Sequence, residues 1–157
     1  MVSETPEEAF VESIKATYPD AIISAEVLRP KRVSVVVKRD HFLEIAKSLK
    51  DEFGFTHPVS GGALDYPREN RMRMIYYLMN PESRFMLTYG VDLSRDDLKL
   101  SSMTSVWEAI SFHEREAHEM FGISFEGHPN MVPLLLPPDW KGGHPLRKDF
   151  KGEGVEE

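Results

Sequence analysis

The chain contains no cysteine, and that absence removes several chemistries together. A disulfide, a thiol nucleophile, a thiolate-bound zinc and an iron–sulfur cluster all need sulfur ligands that this polypeptide does not supply. If the protein serves a redox system, electrons do not rest on a cluster held here. Long apolar runs are missing too: no stretch of 18 or more such residues occurs, so nothing reads as a membrane span. The opening MVSETPEEAF lacks the basic and apolar regions of a signal peptide, which predicts a chain that stays on the cytoplasmic side. Positive charge is in short supply. With 19 Lys and Arg against 26 Asp and Glu, the net charge is −7, which disfavours binding to nucleic-acid phosphates or to an anionic leaflet. A local basic group at Arg68, Arg71 and Arg73 does not reverse that balance.

What is present fits one soluble globular domain of 157 residues, 41% hydrophobic and 29% charged, long enough to bury a core. Thr5, Pro6 and Glu8 predict a capping box that opens a first helix. Phe10, Ile14 and Tyr18 form its apolar face and Pro19 ends it. Residues 21–28 and 33–38 read as strands around the turn Arg29-Pro30-Lys31-Arg32. Asp40 is expected to cap a second helix with an apolar stripe of Phe42, Ile45, Ala46, Leu49 and Phe53, stopped by Gly54. Three further strands follow at 56–66, 71–79 and 84–91, with a bulge or bend expected at Gly61-Gly62. Helices interspersed with adjacent strands predict a two-layer α+β domain with a mixed or antiparallel sheet and about three helices. Scattered methionines in the strands suit core filling better than a metal box.

A third helix is expected from a second capping box at Ser105–Glu108 to Gly122. Its His113-Glu114-Arg115-Glu116-Ala117-His118 stretch looks at first like a zinc-protease signature. Two histidines one turn apart share a metal because they lie on one face. Here the spacing is five, which separates them by about 140° on a regular helix. Projection places Val106, Ala109, Ile110, His113, Ala117, Met120 and Phe121 on the apolar stripe, with His113 as a hydrogen-bonded, half-buried residue. Glu114 and Glu116 fall at its edges. Phe112, Arg115 and Glu119 share the opposite face, where Arg115 and Glu119 are spaced for an ion pair. Phe112 is out of place on a charged face and marks a candidate contact. An acid–base or metal pair of Glu114 with His118 is the rival reading.

Beyond this helix, Gly and Pro fill eight of the nineteen positions 127–145. Such a segment forms no core, yet it carries Met131, Leu134, Leu135, Leu136, Trp140, Leu146 and Phe150. Apolar anchors on irregular backbone need a surface, either the chain's own domain or another protein. The division expected is an α+β domain over 1–126 and an extended arm over 127–157. His128 and His144 both lie on this irregular backbone with no obvious third ligand.

Glu114-Arg115-Glu116, Met120-Phe121-Gly122-Ile123, Phe125, Gly127-His128-Pro129, Pro138-Asp139-Trp140 and Gly143–Phe150 together resemble the signature of the thirty-kilodalton, or C, subunit of respiratory complex I. This family includes the corresponding subunits of membrane-bound nickel–iron hydrogenases and ferredoxin-fed relatives. The resemblance covers about a quarter of the chain through its motifs, and the α+β layout ahead of them looks like the family's domain. It implies a scaffold subunit with no catalytic site and no cofactor of its own, peripheral on the cytoplasmic side. Its implied partners are a hydrogenase-like large subunit and an iron–sulfur small subunit, with membrane subunits reached indirectly. Iron–sulfur clusters, and in some branches a nickel–iron site, would sit in those partners.

Under the same resemblance, Phe112, Glu114, Arg115, Glu116, Gly122, Gly127, His128, Pro129, Leu135, Trp140, His144, Pro145, Arg147, Lys148 and Asp149 become structural or contact residues. Two departures stand out. His118-Glu119 replaces the family's usual Trp-Asp, and Val132-Pro133 stands where a paired arginine is common. These favour a different large-subunit partner and a ferredoxin-fed, hydrogenase-type complex. A quinone- or sulfur-reducing complex is the alternative within the family. An independent small metalloenzyme using Glu114, His118, His128 or His144 is the alternative outside it.

Overall fold

The computed structural model describes residues 4–152, so the first three and last five residues lie outside the account. The chain runs α1 (Pro6–Thr17), β1 (Ile22–Arg29), β2 (Arg32–Val37), α2 (Phe42–Asp51), β3 (His57–Tyr66), β4 (Arg71–Met79), β5 (Met86–Ser94), β6 (Lys99–Ser101), α3 (Ser111–Phe121) and β7 (Ser124–Glu126). This is an α+β domain with three α-helices on a five-stranded mixed sheet of order β1-β2-β5-β4-β3. All neighbours are antiparallel except β2 and β5. β6 and β7 form a separate parallel pair that flanks α3. That pair has no counterpart in the sequence reading, since three residues are too few to show a period of two.

Alternation decides the sheet's inner face. Met72, Met74, Tyr76 and Leu78 of β4 and Leu87, Tyr89, Val91 and Leu93 of β5 are buried, as are Val33, Val35 and Val37 of β2. They pack with Phe10 and Ile14 of α1 and with Phe42, Ile45 and Leu49 of α2. Phe42 stacks on Tyr89 at 4.6 Å between ring centroids. The Tyr89 hydroxyl donates to the Phe42 carbonyl at 2.7 Å, so a deeply placed polar atom is satisfied. On the opposite face, Arg73 lies over Gly90 and its guanidinium meets Asp92 at 2.7 Å. Arg71 shares that carboxylate at 3.0 Å and stacks on Tyr66. Two members of the local basic group are thereby neutralised.

The first capping box forms as expected: the Thr5 hydroxyl accepts from the Glu8 amide and Glu8 reaches back to the Thr5 amide. Four other local expectations are corrected. Asp40 caps nothing, because residues 39–41 make one 3₁₀ turn that enters α2 through His41 with no side-chain cap. The β3 irregularity lies between Pro58 and Ser60, while Gly61 and Gly62 pair in regular register with Tyr76 and Ile75. Gly61 is needed for approach: a Cβ there would lie 3.3 Å from the His113 Cβ, where α3 crosses the strand. Finally, α3 begins at Ser111 after a 3₁₀ turn over Glu108–Ile110, and Ser105 makes no box. The fifth strand starts two residues later than expected and runs to Ser94.

Candidate functional site

The 3₁₀ turn ahead of α3 advances the chain by three residues per turn rather than 3.6, which rotates the helix relative to the expected projection. The buried line becomes Ile110, Glu114 and Ala117. Glu114 is therefore not at an edge of the stripe but in the core, with no exposed surface. Its carboxylate accepts from the Ser102 hydroxyl at 2.6 Å, the Met103 amide at 2.7 Å and the Tyr76 hydroxyl at 2.9 Å. Burial pushes its pKa above the usual value, opposed by those three hydrogen bonds and by nearby His128. Burial pushes the Tyr76 hydroxyl upward as well, reinforced by the charge of Glu114. The cluster pins α3 to β4 and to the loop after β6.

The expected Glu114–His118 pair does not form, because His118 turns Nδ1 to the Ile123 carbonyl at 2.8 Å. His113 is half-buried against Gly61 but makes no side-chain hydrogen bond among the described residues. The Arg115–Glu119 ion pair is also replaced. Arg115 donates to the carbonyls of Val132 and Pro133 at 3.0 and 2.9 Å. Glu119 accepts from the amides of Leu134 and Leu135 at 2.5 and 2.8 Å. One basic and one acidic side chain thus clamp four consecutive residues by their backbone. Charge-assisted bonds of this kind are stronger than neutral ones.

The end of α3 leaves carbonyls without helical partners, and the segment beyond β7 supplies donors to two of them. The His144 imidazole meets the Glu119 carbonyl at 2.8 Å, and the Leu146 amide donates to the Met120 carbonyl at 3.0 Å. Gly122 ends the helix at φ +84°, and the His144 ring lies where its Cβ would be, 2.8 Å away. At the helix start, His128 Nε2 sits 3.2 Å from both the hydroxyl and the carbonyl of Ser111. Pro129 follows exposed, and Gly127 takes φ +83°. Trp140 donates its indole N–H to the Gly143 carbonyl at 2.8 Å. Met131, Pro133, Leu136, Trp140 and His144 help to line a cavity of about 340 Å³ against α3. Pro145 and Glu116 are half-buried.

The stretch Arg147-Lys148-Asp149 is fixed from the sheet. The Lys148 amide donates to Asp65 of β3 at 2.8 Å. Arg95 lies 3.0 Å from Asp65 and 3.1 Å from Asp149, and Arg147 adds a looser 3.4 Å contact to Asp149. The Arg95 Nε–Asp65 Oδ1 approach is a charge contact without hydrogen-bond alignment, while Arg95 Nη2 donates to Asp65 Oδ2 at 3.3 Å. Asp65 is a site residue that the motifs do not mark. The signal that could find it is an acid at the inward end of the alternation Gly61, Ala63, Asp65. Phe112, Val132, Leu135 and Leu146 keep their side chains exposed, Phe112 and Leu135 at 60%. Arg115 lies over the Phe112 ring at 5.7 Å.

His128 and His144 are tied to Ser111 and Glu119, about 12 Å apart along the helix axis at 1.5 Å per residue. Among the described residues, no group of three or more His, Asp or Glu is placed to hold a metal ion. No described helix is long and apolar enough to cross a membrane.

Residues 35–156 match the family described as respiratory-chain NADH dehydrogenase, 30 Kd subunit. The chain is 34% identical over 142 residues to the C subunit of the F(420)H(2) dehydrogenase of Methanosarcina mazei, covering 90% of each protein. It is 34% identical to the C subunit of the NADH-quinone oxidoreductase of Citrifermentans bemidjiense, covering 93% of this chain and 90% of that one. Among solved structures, a chain of the membrane-bound sulfane sulfur reductase, an archaeal respiratory membrane complex, superposes with a TM-score of 0.83. Its identity is 27%, over 92% of this chain and 85% of that one. A trypsin-resistant fragment of Nqo5 gives 0.67 at 28% identity, covering 78% of this chain and 97% of the fragment. With the family matched over most of its length and the same domain built in three dimensions, the chain belongs to the 30 Kd, or C, subunit family of respiratory complex I and its relatives.

Proposed function

We propose that this chain is the C subunit of a complex I-like respiratory membrane complex, a scaffold without a catalytic centre of its own. It packs on a hydrogenase-like large subunit and borders the iron–sulfur small subunit, at the cytoplasmic face and without contact to lipid. The described part of the C-terminal segment, residues 127–152, and the outward face of α3 form the contact. One observation carries this reading. The backbone of the segment is gripped from α3 by Arg115 and Glu119, and its own His128 and His144 reach back to the two ends of the helix, while Phe112, Val132, Leu135 and Leu146 keep their apolar surface exposed. Ordered, exposed apolar side chains rimmed by charge are the signature of a contact surface.

The relatives shift the branch. F(420)H(2) dehydrogenase, NADH-quinone oxidoreductase and sulfane sulfur reductase subunits are what this chain resembles. They favour a quinone- or sulfur-reducing complex over the ferredoxin-fed hydrogenase that the departures at His118-Glu119 and Val132-Pro133 suggested. The test is purification of the tagged chain from mildly solubilised native membranes, with identification of the companions and nickel and iron analysis. A large subunit and cluster-bearing subunits without nickel are expected. Nickel would restore the hydrogenase branch, and recovery of the chain alone would overturn the scaffold. Leu135→Asp is expected to abolish co-purification while the chain stays folded.

A further inference from the structure

The two edges of the sheet are protected unequally. β1 shifts register between Ile22 and Ser24 and again between Val27 and Arg29, and it carries Glu26 and Arg29. Irregularity and charge are the devices that blunt an edge against unwanted pairing. β3 has neither over most of its length. From Ser60 to Tyr66 it pairs residue for residue with Tyr77 to Arg71. Its one charged residue in that run, Asp65, is turned inward and held by Arg95 and the Lys148 amide. The others are small or apolar: Gly61 and Gly62 sit at the centre, and Leu64 is 45% exposed. Among the described residues, no backbone group of 57–66 bonds to anything on the side away from β4.

We propose that an extended strand from another subunit of the complex adds to the free edge of β3, an inference that rests on the scaffold reading above. From Ser60 to Tyr66, alternate N–H and C=O groups of β3 face away from β4 and supply a ladder for one more strand. The occupant is a strand of a partner, not a second copy of this chain. Two copies would bring together molecules each carrying a charge of −7, which repel on approach. The edge is also continuous with the contact surface, because the Lys148 amide fixes the end of the C-terminal segment to Asp65 at the end of β3. A partner lying along that segment reaches the edge directly. The incoming strand would be uncharged opposite residues 60–64. It would carry a bulky apolar side chain beside Gly62, where nothing lies within 4 Å of a Cβ position, as aromatic side chains cover edge glycines elsewhere.

The experiment compares hydrogen exchange over residues 57–66 in the isolated chain and in the purified membrane complex. In the isolated chain the outward amides should exchange rapidly, and in the complex they should slow by about a hundredfold or more, as buried ladder amides do. Equal exchange in both, with the chain demonstrably in the complex, would overturn the proposal and leave the scaffold reading intact. Protection that appears in the isolated chain as its concentration rises would assign the edge to a second copy, which also overturns it. Proline variants give an independent measure, since proline is tolerated where a strand amide points away from the sheet. Of Gly62→Pro and Ala63→Pro, one breaks a bond to β4 and the other faces the open edge. The second should melt like the parent yet enter the complex at least about tenfold less, through the lost ladder bond and the clash of its ring. Normal incorporation of that variant would overturn the added strand.

Discussion

The sheet with its helices, and the segment that follows β7, are held by different means. In the first region Phe42, Ile45, Leu49, Tyr76 and Tyr89 are sealed from solvent and apolar contact does the holding. In the second, four side chains of α3 and the segment grip backbone atoms: Arg115, Glu119, His128 and His144. The difference has a functional consequence. A segment fixed through its apolar side chains would have spent them, whereas one fixed through its backbone and two histidines keeps Val132, Leu135 and Leu146 exposed. Irregular backbone must satisfy its own polar groups somewhere, and here those demands are what attach it.

The sharpest way to break this comparison is at Glu114, where the two regions meet. Glu114→Ala would strand the Ser102 hydroxyl, the Met103 amide and the Tyr76 hydroxyl in a buried site. The expected loss is about 3 kcal/mol or more, since each unsatisfied buried donor costs on the order of 1–3 kcal/mol. Denaturant unfolding measures it, and a loss under about 1 kcal/mol would show that the cluster is not a support. Next is Gly122→Ala, which forces a Cβ into the left-handed region and onto the His144 ring. Strain of that kind costs on the order of 1–3 kcal/mol. The variant should also free His144 from the helix end, seen as a change in its imidazole resonances.

A smaller effect is expected at Glu119. Its partners Leu134 and Leu135 are near the surface, so water can replace the lost carboxylate. Glu119→Ala should shift the domain's unfolding by about 1 kcal/mol or less. Local opening should nonetheless rise, with trypsin cutting at Lys141 and Arg147 several-fold faster while the sheet domain survives. Equal cleavage rates would mean that Glu119 does not hold the segment.

The same contrast explains what could be read from the sequence. The apolar core was legible, because Phe42, Ile45, Ala46 and Leu49 repeat at helical spacing and Met72, Met74, Tyr76 and Leu78 alternate. The α1 capping box was legible because both partners lie within four residues. Glu114 was not. Its partners are 11, 12 and 38 positions away, and a buried acid leaves no mark in a hydrophobic period. The 3₁₀ turn at Glu108–Ile110 compounded this by rotating the helix out of its expected phase. Gly61-Gly62 signalled something real but ambiguous: glycine marks either a bulge or a close approach, and only the position of α3 decides for the approach. The motif residues were found by resemblance, but the division of labour between Glu114 facing the sheet and Glu119 buried beneath the C-terminal segment shows only in the structure.

The smallest expected effect separates burial from hydrogen bonding at Glu114. Burial raises its pKa and three donors lower it, with burial prevailing. A carboxyl whose pKa is higher in the folded than in the unfolded protein takes up its proton first in the folded state. Stability at this site therefore rises as pH falls from neutrality through the folded pKa, and it levels off below the ordinary value of 4.5. Asp92 works in the other direction. Burial would raise it, but its bonds and charge contacts with Arg73 and Arg71 outweigh burial and hold it low, so its contribution is lost in acid. The two are separated by measuring unfolding of the parent and of Glu114→Gln across pH 7 to 4, because the amide does not titrate and the Asp92 effect cancels. The stability advantage of the parent over the variant should widen as pH falls. If it narrows instead, the Ser102, Met103 and Tyr76 bonds dominate, and α3 is held to the sheet by an ionised carboxylate throughout.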